Sequence, residues 1–195
     1  MHEFKPEWIE KLANPNPEER AFAATEIYRA GRRRADLAVH TWWENTDFAP
    51  LCGHNPAVTV GLAVQPLTFA KIREANGWPP LAEVPPEQDA SEFELHFPGG
   101  IMLDVLTTRD AAGSGAIARF LAKLGEGVQQ VEFRCSDVDR AAAILLEKFA
   151  VQPVYAVKRP GADGTKVNFF LVPAPDQTKI LIELYEPPVP KAKQT

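Results

Sequence analysis

Acidic side chains recur at alternate positions in several short β-rich runs of this sequence, and in a strand residues two apart share one face. In SEFELHF (91–97), Glu92, Glu94 and His96 oppose Phe93, Leu95 and Phe97; in VQQVEFRC (128–135), Gln130, Glu132 and Arg134 oppose Val131, Phe133 and Cys135. In KILIELYE (179–186), Leu181, Glu183 and Tyr185 oppose Ile180, Ile182 and Leu184, and in IMLDVLTT (101–108) Asp104 shares a face with Met102 and Leu106. One face of these strands is expected to pack on helices. The other is mixed, and where it meets water Glu92, Glu94 and Arg134 are ordinary solvated charges. Glu183 differs, because its face-mates Leu181 and Tyr185 are apolar-bodied. Its carboxyl group then sits in a partly dry cavity, where it needs a cation, a hydrogen-bond donor or a raised pKa.

The elements that must position these residues can be read from the same patterning. Strands are predicted at 58–64, 91–97, 101–108, 128–135, 153–158, 166–172 and 179–186, with helices at 67–76, 116–125 and 137–150. The order is strand, helix, strands, linking helix, then strand, helix, strands again, an internal duplication of architecture. Before it, PEWIEKLA and the segment after Asn16 read as helical. Asn16 is the N-cap, Pro17 stands at N1 and an acid occupies N3. This helix is expected to end near Ala30 with Gly31 as C′, and a further helix from about Asp36 carries Leu37, Val39, Trp42 and Trp43. The segment LANPNPEERAFAATEIYRAG resembles a single helical repeat of the HEAT kind, which cannot bury its own face alone and so should pack on the domain C-terminal to it. Trp42 and Trp43 are expected to fasten it there.

Bulk properties exclude some functions. A net charge of -5 and a pI near 5.4 give no basic excess for nucleic acid, and Arg32-Arg33-Arg34 is too short to supply one. No apolar run approaches the ~20 residues needed to span a bilayer, and the N-terminus lacks a signal-peptide core, so a cytoplasmic protein is expected. Cys52 and Cys135 lack metal-ligand spacing and read as buried or incidental thiols. There is no nucleophile-elbow motif and no glycine-rich phosphate loop; Gly99-Gly100 and Gly161-Ala162-Asp163-Gly164 are turn signals. Arg109, Arg119, Lys123 and Lys158-Arg159 read as solvated surface charge. His40 and His54 read as incidental.

The run AIARFLAKLGEGVQQVEFRCSDVDRAA, with KVNFFLVP and ILIELYE after it, resembles the methylmalonyl-CoA epimerase branch of the vicinal-oxygen-chelate, or glyoxalase-like, superfamily. TVGLAV, VPPEQ and MLDVL extend the resemblance through the first half, over about residues 57 to 187. It implies an α+β fold of two βαβββ modules preceded by an α-helical extension. The boundaries it suggests are an extension at 1–55 and a vicinal-oxygen-chelate domain at 56–188, with module one at 56–110, a linking helix at 115–125 and module two at 127–187, then a flexible tail at 188–195. Members of that family hold a divalent metal between a histidine in the first strand and an oxygen ligand in the last strand of each module, and carboxylates exchange the α-proton of the substrate. In that chemistry a C–H acid next to a thioester ionises at neutral pH only if the developing oxyanion is met by a positive centre and a base is close, so metal and base are both required.

Carried over residue by residue, the resemblance places Asp104 and Glu183 at the last-strand positions and Glu87, in Pro86-Glu87-Gln88, at the second catalytic carboxylate. Both histidines are replaced, one by Thr59 in Thr59-Val60-Gly61-Leu62-Ala63-Val64 and the other by Gln130 in Gly127-Val128-Gln129-Gln130-Val131. An all-oxygen set of Asp104, Gln130 and Glu183 suits Mg²⁺ or a similar ion, or no metal at all. Two readings result. In one, the protein is an isomerase or lyase in which Glu87 and Glu183 act as acid and base on a small carbonyl or thioester substrate, with Thr59, Glu94, His96, Glu132, Asn168 and Tyr185 around it. In the other, it is a small-molecule binding protein that keeps the scaffold without the metal, with Gln130, Asn168 and Thr59 bonding the ligand. A homodimer is the expected assembly, since paired modules of this kind often associate.

Overall fold

The computed structural model describes residues 4–53, 56–174 and 178–188; His54 and the tail from residue 189 lie outside the described residues. After the short helix α1 (Glu7–Leu12), helix α2 (Pro17–Val39) begins where the sequence indicates, with the Asn16 side chain accepting from the Glu18 N–H at 2.9 Å. It does not stop at Gly31. The helix runs on to Val39, and Gly31 lies where α2 crosses the sheet: a Cβ there would come within 2.6 Å of Val60 Cγ1 and 3.3 Å of Val128 Cγ1. Glycine at mid-helix costs about 1 kcal/mol relative to alanine, and here close approach to a packed strand outweighs that cost. The single-turn helix α3 (Ala49–Cys52) comes next, and between the two helices Trp42 and Trp43 do fasten the region to the sheet. Trp42 meets Phe48 and Phe170 at ring separations of 5.5 and 6.3 Å, and Trp43 meets Phe133 at 5.2 Å.

Gly31→Ala is therefore expected to destabilise the protein although it improves helix propensity. Overpacking of this kind costs about 1–3 kcal/mol, against about 1 kcal/mol gained in the helix. Urea unfolding of Gly31→Ala should show a lower midpoint than wild type, with partial recovery when Val60→Ala is added. A raised midpoint in the single variant would mean that α2 lifts from the sheet without cost.

The strands are β1 (Val58–Ala63), β2 (Ala90–Phe97), β3 (Ile101–Thr108), β4 (Gly127–Arg134), β5 (Arg159–Pro160), β6 (Lys166–Pro173) and β7 (Lys179–Glu186). They form one mixed sheet in the order β2-β3-β1-β4-β7-β6-β5, with β1 parallel to β3, β4 parallel to β7, and β1 antiparallel to β4. Helices α4 (Pro66–Ala75) and α6 (Val138–Phe149) come after the first strand of each half, and α5 (Ala116–Leu124) links the halves. The alternation assigns the faces as read from sequence. Leu95, Leu103, Val60, Val131, Ile182 and Phe170 form a lateral row across neighbouring strands, all buried in one core with residues of α2, α4 and α6. Glu94, Asp104, Gly61, Gln130 and Leu181 form the matching row on the other face. That face is left to α5, whose Ile117 and Leu121 pack with Ala63 and Leu106. Among the described residues no helix is long and apolar enough to cross a membrane.

Two details depart from the sequence reading. Residues 153–158 do not form a strand; only an isolated bridge joins Pro153 to Phe170, and pairing resumes at β5. The reason is Asn168, whose side chain accepts from the Tyr155 N–H at 3.2 Å and donates to the Tyr155 carbonyl at 2.9 Å. These side-chain bonds take the place of the ladder, as asparagine bonds to backbone commonly do. In the first half, the segment before β2 makes a single bond to it, from the Ala82 N–H to the Glu92 carbonyl at 3.0 Å. Pro79, Pro80, Pro85 and Pro86 lack the donors for more. The two cysteines, distant in sequence, also meet. Ser136 donates to the Leu51 carbonyl at 2.8 Å, and the Cys52 thiol bonds to the Cys135 sulfur, which raises the pKa of Cys52 and lowers that of Cys135.

Candidate functional site

The face that carries the acids encloses a cavity of about 590 Å³, within the usual range for a small-molecule site. Its floor is built by strands from both halves of the chain. Asp104 on β3, Glu132 and Gln130 on β4, and Glu183 on β7 line it at 6%, 8%, 6% and 9% exposure. Pairing sets their spacing: Glu132 lies directly opposite Glu183, and Glu94 directly opposite Asp104. Like charges in such cross-strand pairs repel. Gly61 separates Asp104 from Gln130, and a Cβ on it would fall 2.5 Å from Gln130 Cγ, so the glycine makes room for the glutamine stem. A β-bulge at the same point leaves Gln129 unpaired and turns it, with Gln130, onto the cavity.

Gln130 organises the acids. Its Nε2 donates to Glu183 Oε2 at 2.7 Å and to Glu132 Oε1 at 3.1 Å. Among the described residues no Lys, Arg or His is ion-paired with Asp104, Glu132, Glu183 or Glu92. Asp104 Oδ1 and Gln129 Oε1 are buried with no hydrogen-bond partner. Burial without a cation pushes carboxyl pKa values up, and neighbouring carboxylates push them further. Burial, then the charges of Glu92, Glu132 and Glu183, hold Asp104 well above the carboxylate range; burial, then Glu132 and Glu92, do the same for Glu183. Glu92 is pushed up to about 8 by burial and by Glu132, Asp163 and Glu94. Glu132 reaches about 7, raised by burial but eased by the Gln130 hydrogen bond. Burial and the nearby carboxylates also raise Tyr185. These causes favour the neutral form of Asp104 and Glu183, while Glu132, at about 7, is close to half-titrated at neutral pH.

Of the residues singled out in the sequence, Asp104, Gln130, Glu132, Glu183, Glu94 and Tyr185 all line this cavity. Glu87 lines it as well, exposed on the turn Pro86–Gln88. Thr59 is buried on the same face opposite Glu132, but is not part of the wall. His96 lies on the outermost strand, 62% exposed, 2.9 Å from the Glu94 carboxylate and outside the cavity. Asn168 is on the helix-covered face and is occupied by the Tyr155 backbone. Sequence reasoning left Glu92 as a solvated charge and missed Gln129, Tyr155 and Phe169. Glu92 shares its alternation set with Glu94 and was findable; the bulge and the Asn168 bonds are tertiary features.

The implied metal can be tested on the donor set. Among the described residues no three His, Cys, Asp or Glu side chains converge as ligands. Gln130 turns its NH₂ group, a donor, toward both carboxyl groups. As arranged, these residues form a hydrogen-bonded proton cluster and do not fit a bound divalent ion.

No family model and no curated protein matches the chain, but solved structures do. The methylmalonyl-CoA epimerase of Mycobacterium tuberculosis is 29% identical with a TM-score of 0.56, the match covering 73% of this chain and 93% of that one. A variant of the Streptomyces coelicolor methylmalonyl-CoA epimerase in complex with 2-nitronate-propionyl-CoA is 25% identical with a TM-score of 0.52, over 66% and 94% of the two chains. A methylmalonyl-CoA epimerase in complex with methylmalonyl-CoA and NH4+ is also 25% identical, at a TM-score of 0.51 over 66% and 91%. The chain has the α+β, glyoxalase-like fold of the vicinal-oxygen-chelate proteins, with its helical segment ahead of it.

Proposed function

We propose, from the glyoxalase-like fold shared with these epimerases, that the chain moves a proton at the carbon next to the carbonyl of a small thioester or related carbonyl substrate. One observation carries the reading: a carboxyl group poised near neutrality, Glu132, is joined through Gln130 to Glu183, whose burial beside other acids favours its neutral form. A general base works best with a pKa near the working pH. Glu132 takes the α-proton as the C–H electron pair moves onto the carbonyl oxygen. A neutral carboxyl group, Glu183 or Asp104, donates a hydrogen bond to the enolate oxygen, a role that raised-pKa acids can fill in dry sites. Return of the proton to carbon regenerates the carbonyl and the Glu132 carboxylate. Glu92 stands on the far side of the β3–β1 pair from Glu132, and the two carboxyl groups feel each other's charge. Delivery of a proton from Glu92 to the opposite face of the enolate would invert the centre. Glu183 starts with its proton on, so in this reading it is a donor and the base is Glu132. Glu87, exposed at the mouth, takes no part in the proton transfer.

The test is deuterium wash-in. Protein dialysed against a chelator is incubated in D₂O with propionyl, methylmalonyl and 3-aminopropionyl thioesters of coenzyme A, and the acyl mass is tracked. Incorporation at the α-carbon, rising with pH through about 7 as Glu132 ionises, supports the reading. Absence of incorporation above buffer with all three thioesters sinks it. Activity lost on chelation and restored by Mg²⁺ would instead favour an ion held by Asp104, Gln130 and Glu183.

A further inference from the structure

The cavity has a surplus of hydrogen-bond acceptors and, among the described residues, no cation paired with its buried acids. Five of the carboxyl groups that line it, those of Glu92, Glu94, Asp104, Glu132 and Glu183, stand on four different strands. Asp104 is only 6% exposed, lines the cavity, and its Oδ1 has no partner; the Gln129 Oε1 in the same wall is also unpartnered. An orphaned buried acceptor is costly, and more so where the group is charged. Its presence in a cavity wall points to a donor brought by the ligand. The two arginines that reach the wall do not supply it. Arg119 turns its guanidinium to the Ser114 carbonyl, and Arg159 lies 4.7 Å over the Tyr155 ring.

We infer that the substrate of this site carries an ammonium group, which the acids of the floor bind by hydrogen bonds and, releasing protons to water as the cation arrives, by charge, while an apolar body lies along Phe169, Leu171 and Leu181. Ammonium offers three donors and no acceptor, the complement of a floor made of carboxyl and amide oxygens. Phe169 and Tyr185, on the same strands as the apolar wall, present ring surfaces that also favour a cation. A carboxylate-bearing acyl group would add a negative charge beside buried acids that have no ion-paired cation among the described residues, and like-charge contacts of that kind discriminate between ligands. The inference rests on the proton-transfer reading for the thioester part of the substrate, and on the cavity alone for the charge.

Three coenzyme A thioesters that share a three-carbon acyl chain separate the possibilities, because they place a positive charge, no charge or a negative charge on it: 3-aminopropionyl, propionyl and methylmalonyl. Titration calorimetry on the full chain at neutral pH is expected to rank them in that order, with at least tenfold between the first and the last. Asp104→Asn keeps the shape and removes the carboxyl group, and should compress that spread several-fold; Glu132→Gln should do the same if Asp104→Asn fails to fold. Equal or tighter binding of the methylmalonyl thioester overturns the inference, whether or not deuterium is exchanged. If no thioester binds but 1,4-diaminobutane does, and less tightly in Asp104→Asn, the cation assignment stands while the proton-transfer reading falls. If neither the thioesters nor the diamine bind, the inference falls too.

Discussion

Glu132→Gln is expected to slow deuterium wash-in by about 10²–10⁴-fold, the usual contribution of a positioned general base. The substitution is close to isosteric, and the site retains Gln130, Glu183 and Asp104, so binding should change far less than turnover. Glu183→Gln makes the informative comparison. An amide at that position still donates a hydrogen bond, as the protonated Glu183 does, and a loss of only about tenfold is expected if Glu183 polarises the carbonyl. Equal and large losses in both variants would instead make Glu183 a base. Rates measured by mass spectrometry at saturating and at limiting thioester separate the chemical step from binding.

The unliganded protein should lose stability as pH rises across neutrality. Glu132 has a folded-state pKa of about 7 against 4.5 for an ordinary glutamate. Between those values the folded state binds more protons than the unfolded one, so the stability of the fold falls as pH rises, and the loss is complete above the folded value. For Glu132 alone the shift corresponds to roughly 3 kcal/mol. Glu92, pushed up to about 8, adds to the decline, and Asp104 and Glu183, also raised by burial and neighbouring carboxylates, contribute with the same sign. These groups titrate together, so their contributions do not sum. For a domain of this size a loss of that order lowers the melting temperature by about 5–10 °C. Calorimetry should therefore find a higher Tm at pH 6 than at pH 8.5, with a flatter profile and a higher Tm at pH 8.5 in Glu132→Gln. A wild-type Tm that is level or rising over that interval would contradict the buried, unpaired state of these acids. Bound amine should restore much of the alkaline loss.

Most of the scaffold was legible in the sequence because strands with one buried face must alternate. Phe93 and Leu95 against Glu92 and Glu94, or Ile180 and Ile182 against Leu181 and Glu183, settle both strand and side. Asp104, Gln130 and Glu183 could be placed together because the family resemblance maps its first-strand and last-strand ligand positions onto them, and the strand register brings them to one face. What was hidden depends on contacts between distant segments. Gly31 has the composition of a helix end, and only the nearness of Val60 explains a helix that passes through it. Residues 153–158 have strand composition, but Asn168 spends its amide on the Tyr155 backbone. The protonation of the acids was hidden for the same reason: alternation shows that carboxyl groups share a face, not that every cation stays away from it.

The seam between β1 and β4 has a geometric consequence. Val60 faces Val131 across it, and a local twofold rotation about that point carries Gly61 onto Glu132, Thr59 onto Gln130 and Asp104 onto Glu183. Near such an axis any acid on one last strand confronts its own counterpart, so crowding of like charge is inherited from the pseudosymmetry and needs no separate origin. The outer strands break it. The same rotation sets Glu94 against Phe169 and Glu92 against Val167, a charged wall against an apolar one. A ligand with one polar and one greasy end, which a symmetric bowl would accept two ways round, has a single favourable orientation here.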